Sequence, residues 1–373
     1  MLKLLSFQPV SLYKNGGASR VLRRLYKGHE EQVYSIGITD NADKLQTGDL
    51  HETVISATPV HRPWMRWKVR NLFIWLRNKG FKPFIMQRIR KAAVGVDYDV
   101  VHVIHHGPYC MAVVTDEILA GKQLWVSFHD HYTSSGVSFE DTKHLWTKAH
   151  RRMAISNELA EEYQRVFGHE DFELITDGVL PQEISQPITI NKTKPVIIYF
   201  SGLLHIGYYP LFEVLADAMD KLSAQGTSFE FVLRGTQTLS FLANRKFKVD
   251  YRRGFISDEE IKAEMDVASI LYLPIKFNNP EFYKYSLSTK MVSYLGASGA
   301  ILYHGPADSA ACKRLATANA AINCTTFSVA DMVDAINRLI ANASQISANA
   351  KKQARTEFDL EEIKRQFWQI KNT

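Results

Sequence analysis

"SLSTKMVSYLGASGAILYHGP", Ser286 to Pro306, reads as a helix followed by a buried strand. Three hydroxyl residues, Ser286, Ser288 and Thr289, stand with Lys290 at the mouth of the helix. The helical pattern stops at Ala-Ser-Gly, and an apolar run ends in Gly-Pro. The first N–H groups of a helix lack intrahelical partners and carry partial positive charge. Hydroxyls and an ammonium beside them suit an anion, above all a diphosphate. N-capping accounts for one hydroxyl, but not for three and a lysine.

The same rhythm of short apolar run and helical pattern extends in both directions. The spacing predicts strands over Lys3–Val10, Gln32–Ile38, Asp99–His105, Gln123–His129, Arg152–Ser156 and Phe172–Thr176. In the second half it predicts Pro195–Gly202, Phe229–Gly235, Val249–Phe255, Ser269–Ile275, Ala300–Pro306 and Ala320–Asn323. These runs are continuously apolar, so both faces should be buried, as in parallel sheets covered by helices. "LPQEISQPITINKTKP", Leu180 to Pro195, has two internal prolines and no period, and reads as a linker near the middle of the chain. The chain is therefore expected to be α/β, with two Rossmann-like doubly wound domains facing a central cleft. The boundaries drawn are 1–185 for the first domain and 186–355 for the second. Residues 356–373 form an amphipathic helix that could return to the first domain.

Composition bounds the function. At 373 residues two domains are the default, and 46% hydrophobic with 23% charged residues is a globular balance. No run is long and apolar enough to span a membrane, and the N-terminus does not read as a secretory signal. Cys110, Cys312 and Cys324 are odd in number and lack CxxC spacing, which fits a reducing cytoplasm better than a disulfide or zinc framework. Net charge is +6, yet the stretch from Arg62 to Lys91 holds ten Lys or Arg and no Asp or Glu, leaving the rest near −4. One basic segment in a slightly acidic chain, with no nucleic-acid motif, argues against a nucleic-acid partner.

Ligands in open α/β sheets bind at the carboxyl ends of strands. One such end carries Gly16-Gly17, where a tight turn and a phosphate loop both fit. Another carries His129-Asp130-His131. A histidine there can serve as a base or hydrogen-bond a substrate hydroxyl, or it can be a core histidine bonded to a backbone carbonyl. Metal binding is disfavoured, because adjacent strand residues point to opposite faces.

The order of these pieces resembles the GT-B glycosyltransferases, especially the family-4-like sugar transferases of bacterial surface polysaccharides. The segments "GGASRV", "FHD", "AISNELAEEY", "ITDGV", "YFSGLLHIGYYPLFEVLADAM", "GFISDEEI" and "STKMVSYLGASGAILYHGP" follow that family's sequence of motifs. The resemblance implies a metal-independent enzyme with no cofactor, whose donor is a nucleoside-diphosphate sugar, taken to be a UDP-sugar. Donor contacts are expected from Gly16, Gly17, Gly202, Arg234, Phe255, Ser286, Ser288, Thr289 and Lys290. His129 and Asp130 take the catalytic position. The acceptor is a saccharide or lipid-linked saccharide, and transfer is retaining. The chain departs from the pattern at two places. Tyr285 and Ser293 stand where the family's Glu-x7-Glu pair would be. Leu203, Leu204 and His205 stand where an Arg and a Lys follow the first strand of the second domain.

Two other readings fit the scaffold: a nucleotide-sugar epimerase, and a non-catalytic partner at a membrane surface. The basic segment bears on both. At 100° per residue, Met65, Val69, Leu72, Phe73 and Leu76 form an apolar stripe, flanked by Arg66, Arg70 and Arg77. Trp64 and Trp67 lie in the same stretch. Aromatics with a cationic flank suit an anionic lipid headgroup boundary, placing the protein peripherally on the inner face of the cell membrane. The alternative is that the stripe packs on the first domain.

Overall fold

The computed structural model describes residues 1–14, 16–39, 48–57, 69, 72, 75–191, 193–202, 204–254 and 256–369. The chain divides into two compact units, Met1–Thr176 with Ile363–Thr373, and Asp177–Glu362.

The first unit is built on seven parallel strands: β1 Leu4–Gln8, β2 Val33–Thr39, β3 His51–Ser56, β4 Val100–Ile104, β5 Gln123–Phe128, β6 Arg151–Ala154 and β7 Glu173–Leu174. Their order is β3-β2-β1-β4-β5-β6-β7. β1 pairs in parallel with both β2 and β4, so the winding direction reverses between β1 and β4. Of these strands only β3 escapes the sequence reading. "HETVIS" is a half-exposed edge strand, with no continuous apolar run to mark it.

A seam of buried polar side chains crosses this sheet. Gln8 Nε2 donates to Ser35 Oγ (2.6 Å) and Glu52 Oε1 (3.0 Å), and Ser6 Oγ donates to Gln8 Oε1 (3.0 Å). Ser6 Oγ also meets the Tyr26 hydroxyl (2.7 Å), which meets His102 Nδ1 (2.8 Å), and His102 Nε2 meets Ser127 Oγ (2.8 Å). Burial holds the His102 imidazole down to about 3, so it is neutral at pH 7. Each group has a partner, as polar groups this far from water require.

The second unit has six parallel strands: β8 Val196–Ser201, β9 Phe229–Arg234, β10 Lys248–Arg252, β11 Ile270–Pro274, β12 Ala300–His304 and β13 Ala321–Cys324. Their order is β10-β9-β8-β11-β12-β13, which repeats the reversal, here between β8 and β11. β8 pairs with β9 through six residues but with β11 through only Ile198 and Tyr199, so β8 and β11 part toward their carboxyl ends. Phe200, Phe212 and Tyr272 pack edge to face at the centre of the core, with ring centroids 4.9 and 5.2 Å apart.

The observed division differs from the sequence boundaries at both ends. Residues 177–185 belong to the second unit. Val179 N–H donates to Phe358 O (2.7 Å), Leu360 N–H donates to Val179 O (3.1 Å), and Gly178 lies so close to Leu360 that an added Cβ would stand 2.7 Å from its Cα. The presumed linker is pinned further along, where Ser185 N–H bonds Gly296 O (2.9 Å) and Ile188 N–H bonds Ser298 O (3.1 Å). The last helix, Leu360–Trp368, follows Asp359, whose Oδ1 accepts from Glu361 N–H (2.9 Å). From Ile363 onward it belongs to the first unit. There Phe367 is buried, Trp368 Nε1 donates to Leu25 O (2.8 Å), and Arg151 lies over Trp125 (4.6 Å) and pairs with Glu173 (2.8 Å).

Candidate functional site

In the second unit, the donor-helix reading falls on the helix Thr289–Gly296. Its N-cap is Ser288, yet the Ser288 hydroxyl makes no capping bond. Ser257, Ser309 and Ser328 in the same unit do cap their helices through their side chains. Ser286 N–H bonds Phe282 O (2.9 Å), and Ser293 Oγ bonds back to Thr289 O (3.1 Å). At the other end of the helix the C-cap carbonyl of Ala297 accepts from the buried Lys351 ammonium. That arrangement puts a cation at the negative end of the helix and fixes the helix against Val329–Glu357.

Lys290 is the centre of the arrangement. Its Nζ stands 3.8 Å from the centroid of the Phe200 ring. A Cβ built on Gly202 would lie 3.4 Å from the same nitrogen, and Gly202 holds φ 124°, a region that favours glycine. Among the described residues no carboxylate pairs with Lys290. Burial alone depresses its pKa, to about 7. Phe200 and Gly202 lie at the end of β8, so this ammonium is held where β8 and β11 part, which is the topological switch point of the sheet.

Arg234, also assigned to the donor, sits otherwise. Its guanidinium is held in a two-point ion pair with Glu264, and its Nη1 donates to Arg253 O (3.0 Å). Glu264 also accepts from the Tyr199 hydroxyl (2.9 Å) and pairs with Arg252 (3.1 Å). Phe255 lies outside the described residues. The structure also brings Lys276, which sequence reasoning passed over, to the end of β11. Its Nζ lies 4.8 Å from the centroid of Tyr208.

In the first unit, Gly16 precedes the helix Gly17–Tyr26 with no capping side chain, and no atom of the described residues lies within 4 Å of a Cβ built on it. The loop before this helix is anchored by Glu52, another residue the sequence did not single out. Its Oε2 accepts from Ser11 Oγ (2.6 Å) and its Oε1 from Leu12 N–H (2.8 Å).

His129 and Asp130 follow β5. Among the described residues the His129 ring has no hydrogen-bond partner, so the backbone-carbonyl bond of a core histidine is not there. Burial holds its pKa down to about 4, against an upward pull from Asp130. His106, after β4, stands with Nδ1 3.8 Å from Asp130. Among the described residues no group of three or more His, Cys, Asp or Glu is placed to hold a metal ion.

Of the basic segment, Trp64, Arg66, Trp67 and Arg70 lie outside the described residues, and of Arg77 only the backbone is described, in the turn Leu76–Gly80. Val69, Leu72, Trp75, Phe81 and Phe84 are all exposed, Trp75 by 53% and Phe84 by 59%. No helix among the described residues is long and apolar enough to cross a membrane.

Residues 15–183 match the family model described as Glycosyltransferase Family 4. The chain has the GT-B fold, and its residues 15–183 are similar to family-4 glycosyltransferase domains. The chain is similar in structure to sucrose-phosphate synthase from Thermosynechococcus elongatus (TM-score 0.69, 13% identity, covering 98% of this chain and 97% of that one). It is similar to HepE from Anabaena, solved with UDP and glucose (TM-score 0.64, 16% identity, 98% of each chain). A glycosyltransferase from Rickettsia africae also matches (TM-score 0.65, 14% identity, 98% of this chain and 96% of that one). Identities this low speak to the fold. No curated protein matches the sequence.

Proposed function

We propose that this chain is a glycosyltransferase that moves a sugar from a UDP-sugar to a saccharide or lipid-linked saccharide in surface polysaccharide synthesis. The observation that carries the reading is Lys290, a partly buried lysine with no carboxylate partner among the described residues, held at the switch point of the second sheet. The transfer breaks the bond between the sugar's anomeric carbon and the diphosphate, and forms one to the acceptor oxygen. The acceptor hydroxyl gives up its proton, and charge builds on the departing diphosphate. Lys290 and the N-terminal N–H groups of Thr289–Gly296 oppose that charge, with Ser286, Ser288 and Gly202 completing the cradle. HepE, solved with UDP and glucose, supports uridine as the donor nucleoside.

The first unit offers His129 to the acceptor. An imidazole near pKa 4 is neutral at pH 7 and a weak base there. His129 therefore orients the hydroxyl as a hydrogen-bond acceptor more than it removes the proton. Likeness to family-4 enzymes makes retention the stereochemistry to test. The exposed Val69, Leu72, Trp75, Phe81 and Phe84 beside basic residues favour a peripheral membrane position over packing of the apolar stripe.

The test is release of nucleoside diphosphate from a panel of nucleotide sugars, with and without oligosaccharide and lipid-linked acceptors. Acceptor-dependent release of UDP supports the proposal. Interconversion of the nucleotide sugar without an acceptor would instead identify an epimerase.

A further inference from the structure

We propose that Lys276 is a second cation on the donor diphosphate, supplied by β11 in place of the basic residues missing after β8. This inference rests on the donor reading above. The segment after β8, where the family pattern has an Arg and a Lys, offers Leu204 and the exposed His205 among its described residues. The remaining basic groups at neighbouring strand ends, Arg234 and Arg252, are held by Glu264. Lys276 is not held in this way: among the described residues it has no carboxylate and no hydrogen-bond partner.

Its place follows from the sheet. β11 pairs with β8 as Ile270↔Ile198 and Leu271↔Tyr199. Beyond that pairing the two strands part: β11 ends at Pro274 and β8 at Ser201, so Lys276 lies two residues past the end of its strand and Gly202, where Lys290 meets it, one residue past the end of β8. Both lysines therefore border the crevice that opens where β8 and β11 part, at the switch point.

The rest of the support is local. Lys276 extends along the far end of the segment that follows β8, where a Cβ built on Gly207 would stand 3.4 Å from its Cδ and 3.8 Å from its Nζ. Tyr208 lies under the ammonium. Lys290 holds the near end of the same segment at Gly202. Glycine at 207 leaves room for the lysine stem, and the tyrosine face steadies the charge without neutralising it. A cation placed so, without an internal anion, is available to an external one.

The experiment titrates the full chain with UDP by calorimetry, using Lys276→Gln, Lys276→Arg and Lys290→Gln variants. Glutamine keeps most of the stem against Gly207 and Tyr208 and removes the charge. Loss of one charge-assisted contact weakens UDP binding about 10- to 100-fold. The expected result is that loss in Lys276→Gln, affinity within about threefold of wild type in Lys276→Arg, and unchanged melting temperature in both. A smaller dependence of affinity on salt in Lys276→Gln supports the same conclusion. If Lys276→Gln binds UDP like the wild type while Lys290→Gln does not, the Lys276 assignment is overturned and the donor reading stands. Equal loss in the Gln and Arg variants makes Lys276 a packing residue and also overturns it. If the wild type binds no nucleoside diphosphate, both readings fall.

Discussion

Titrating UDP into the protein at pH 8 should draw protons from the buffer. Lys290 is held near pKa 7 in the free protein, with burial the only cause. A diphosphate beside its Nζ favours the ammonium and restores a pKa at or above the ordinary 10.5. At pH 8 about nine-tenths of the lysine is neutral before binding, so each UDP bound should take up about 0.9 proton. The terminal phosphate of the nucleotide, with a second pKa of about 6, is already ionised and contributes little. Affinity then falls as pH rises, by about 50-fold between pH 7 and pH 9. The assay is calorimetry at pH 8 in buffers of different ionisation enthalpy, where the slope of observed enthalpy gives the proton count. Lys290→Arg, charged at every pH used, should bind with a flat pH profile and no uptake. Lys290→Met should lose affinity and pH dependence together. A wild type that takes up no proton at pH 8, or a Lys290→Arg variant with the wild-type slope, refutes the reasoning.

Four further outcomes are open to measurement. His129→Ala should cut turnover about 100-fold while leaving UDP affinity and melting temperature near wild type; early melting with loss of donor binding would return His129 to the core. Arg234→Ala should act first on folding, lowering the stability of the chain by about 1–3 kcal/mol as Glu264 loses a two-point partner, and a change in UDP affinity without a change in denaturation midpoint would contradict that. Lys351 is buried and depressed to about 7, mainly by burial, so the unfolded chain binds more protons between about pH 7 and 10.5 and wild-type stability rises with pH across that window. Lys351→Met should therefore stabilise the protein more at pH 6 than at pH 9, by about 2–3 kcal/mol, measured by denaturant unfolding at the two pH values. Vesicles with anionic lipid should co-sediment the protein, less so at high salt and less so when Trp75 and Phe84 are both changed to Ser; equal sedimentation with neutral vesicles, or none with either, counts against membrane contact.

The sequence alone revealed what depends on local pattern. The central strands announce themselves because a strand covered on both faces must be apolar along its length, as "VVHVI" and "AILYH" are. Helix starts rest on equally local contacts: Ser156 accepts from Leu159 N–H (3.1 Å), a bond made within four residues. The lysine at the mouth of Thr289–Gly296 was visible too, since its neighbours in sequence are its neighbours in the helix. An edge strand such as "HETVIS" was not, because half-exposure removes the apolar signature.

What only the tertiary structure decided is which charges are already answered. Arg234 and Lys276 look alike in sequence, each a basic residue at or just past a strand end. Folding brings Glu264, thirty positions from Arg234, onto the guanidinium, while nothing acidic among the described residues reaches Lys276. Folding likewise sets Lys351 against the Ala297 carbonyl, fifty-four positions away, and Glu52 against the loop that precedes Gly16. A site's electrostatics depends on distances of a few ångströms between residues far apart in the chain, and local pattern carries no record of those distances.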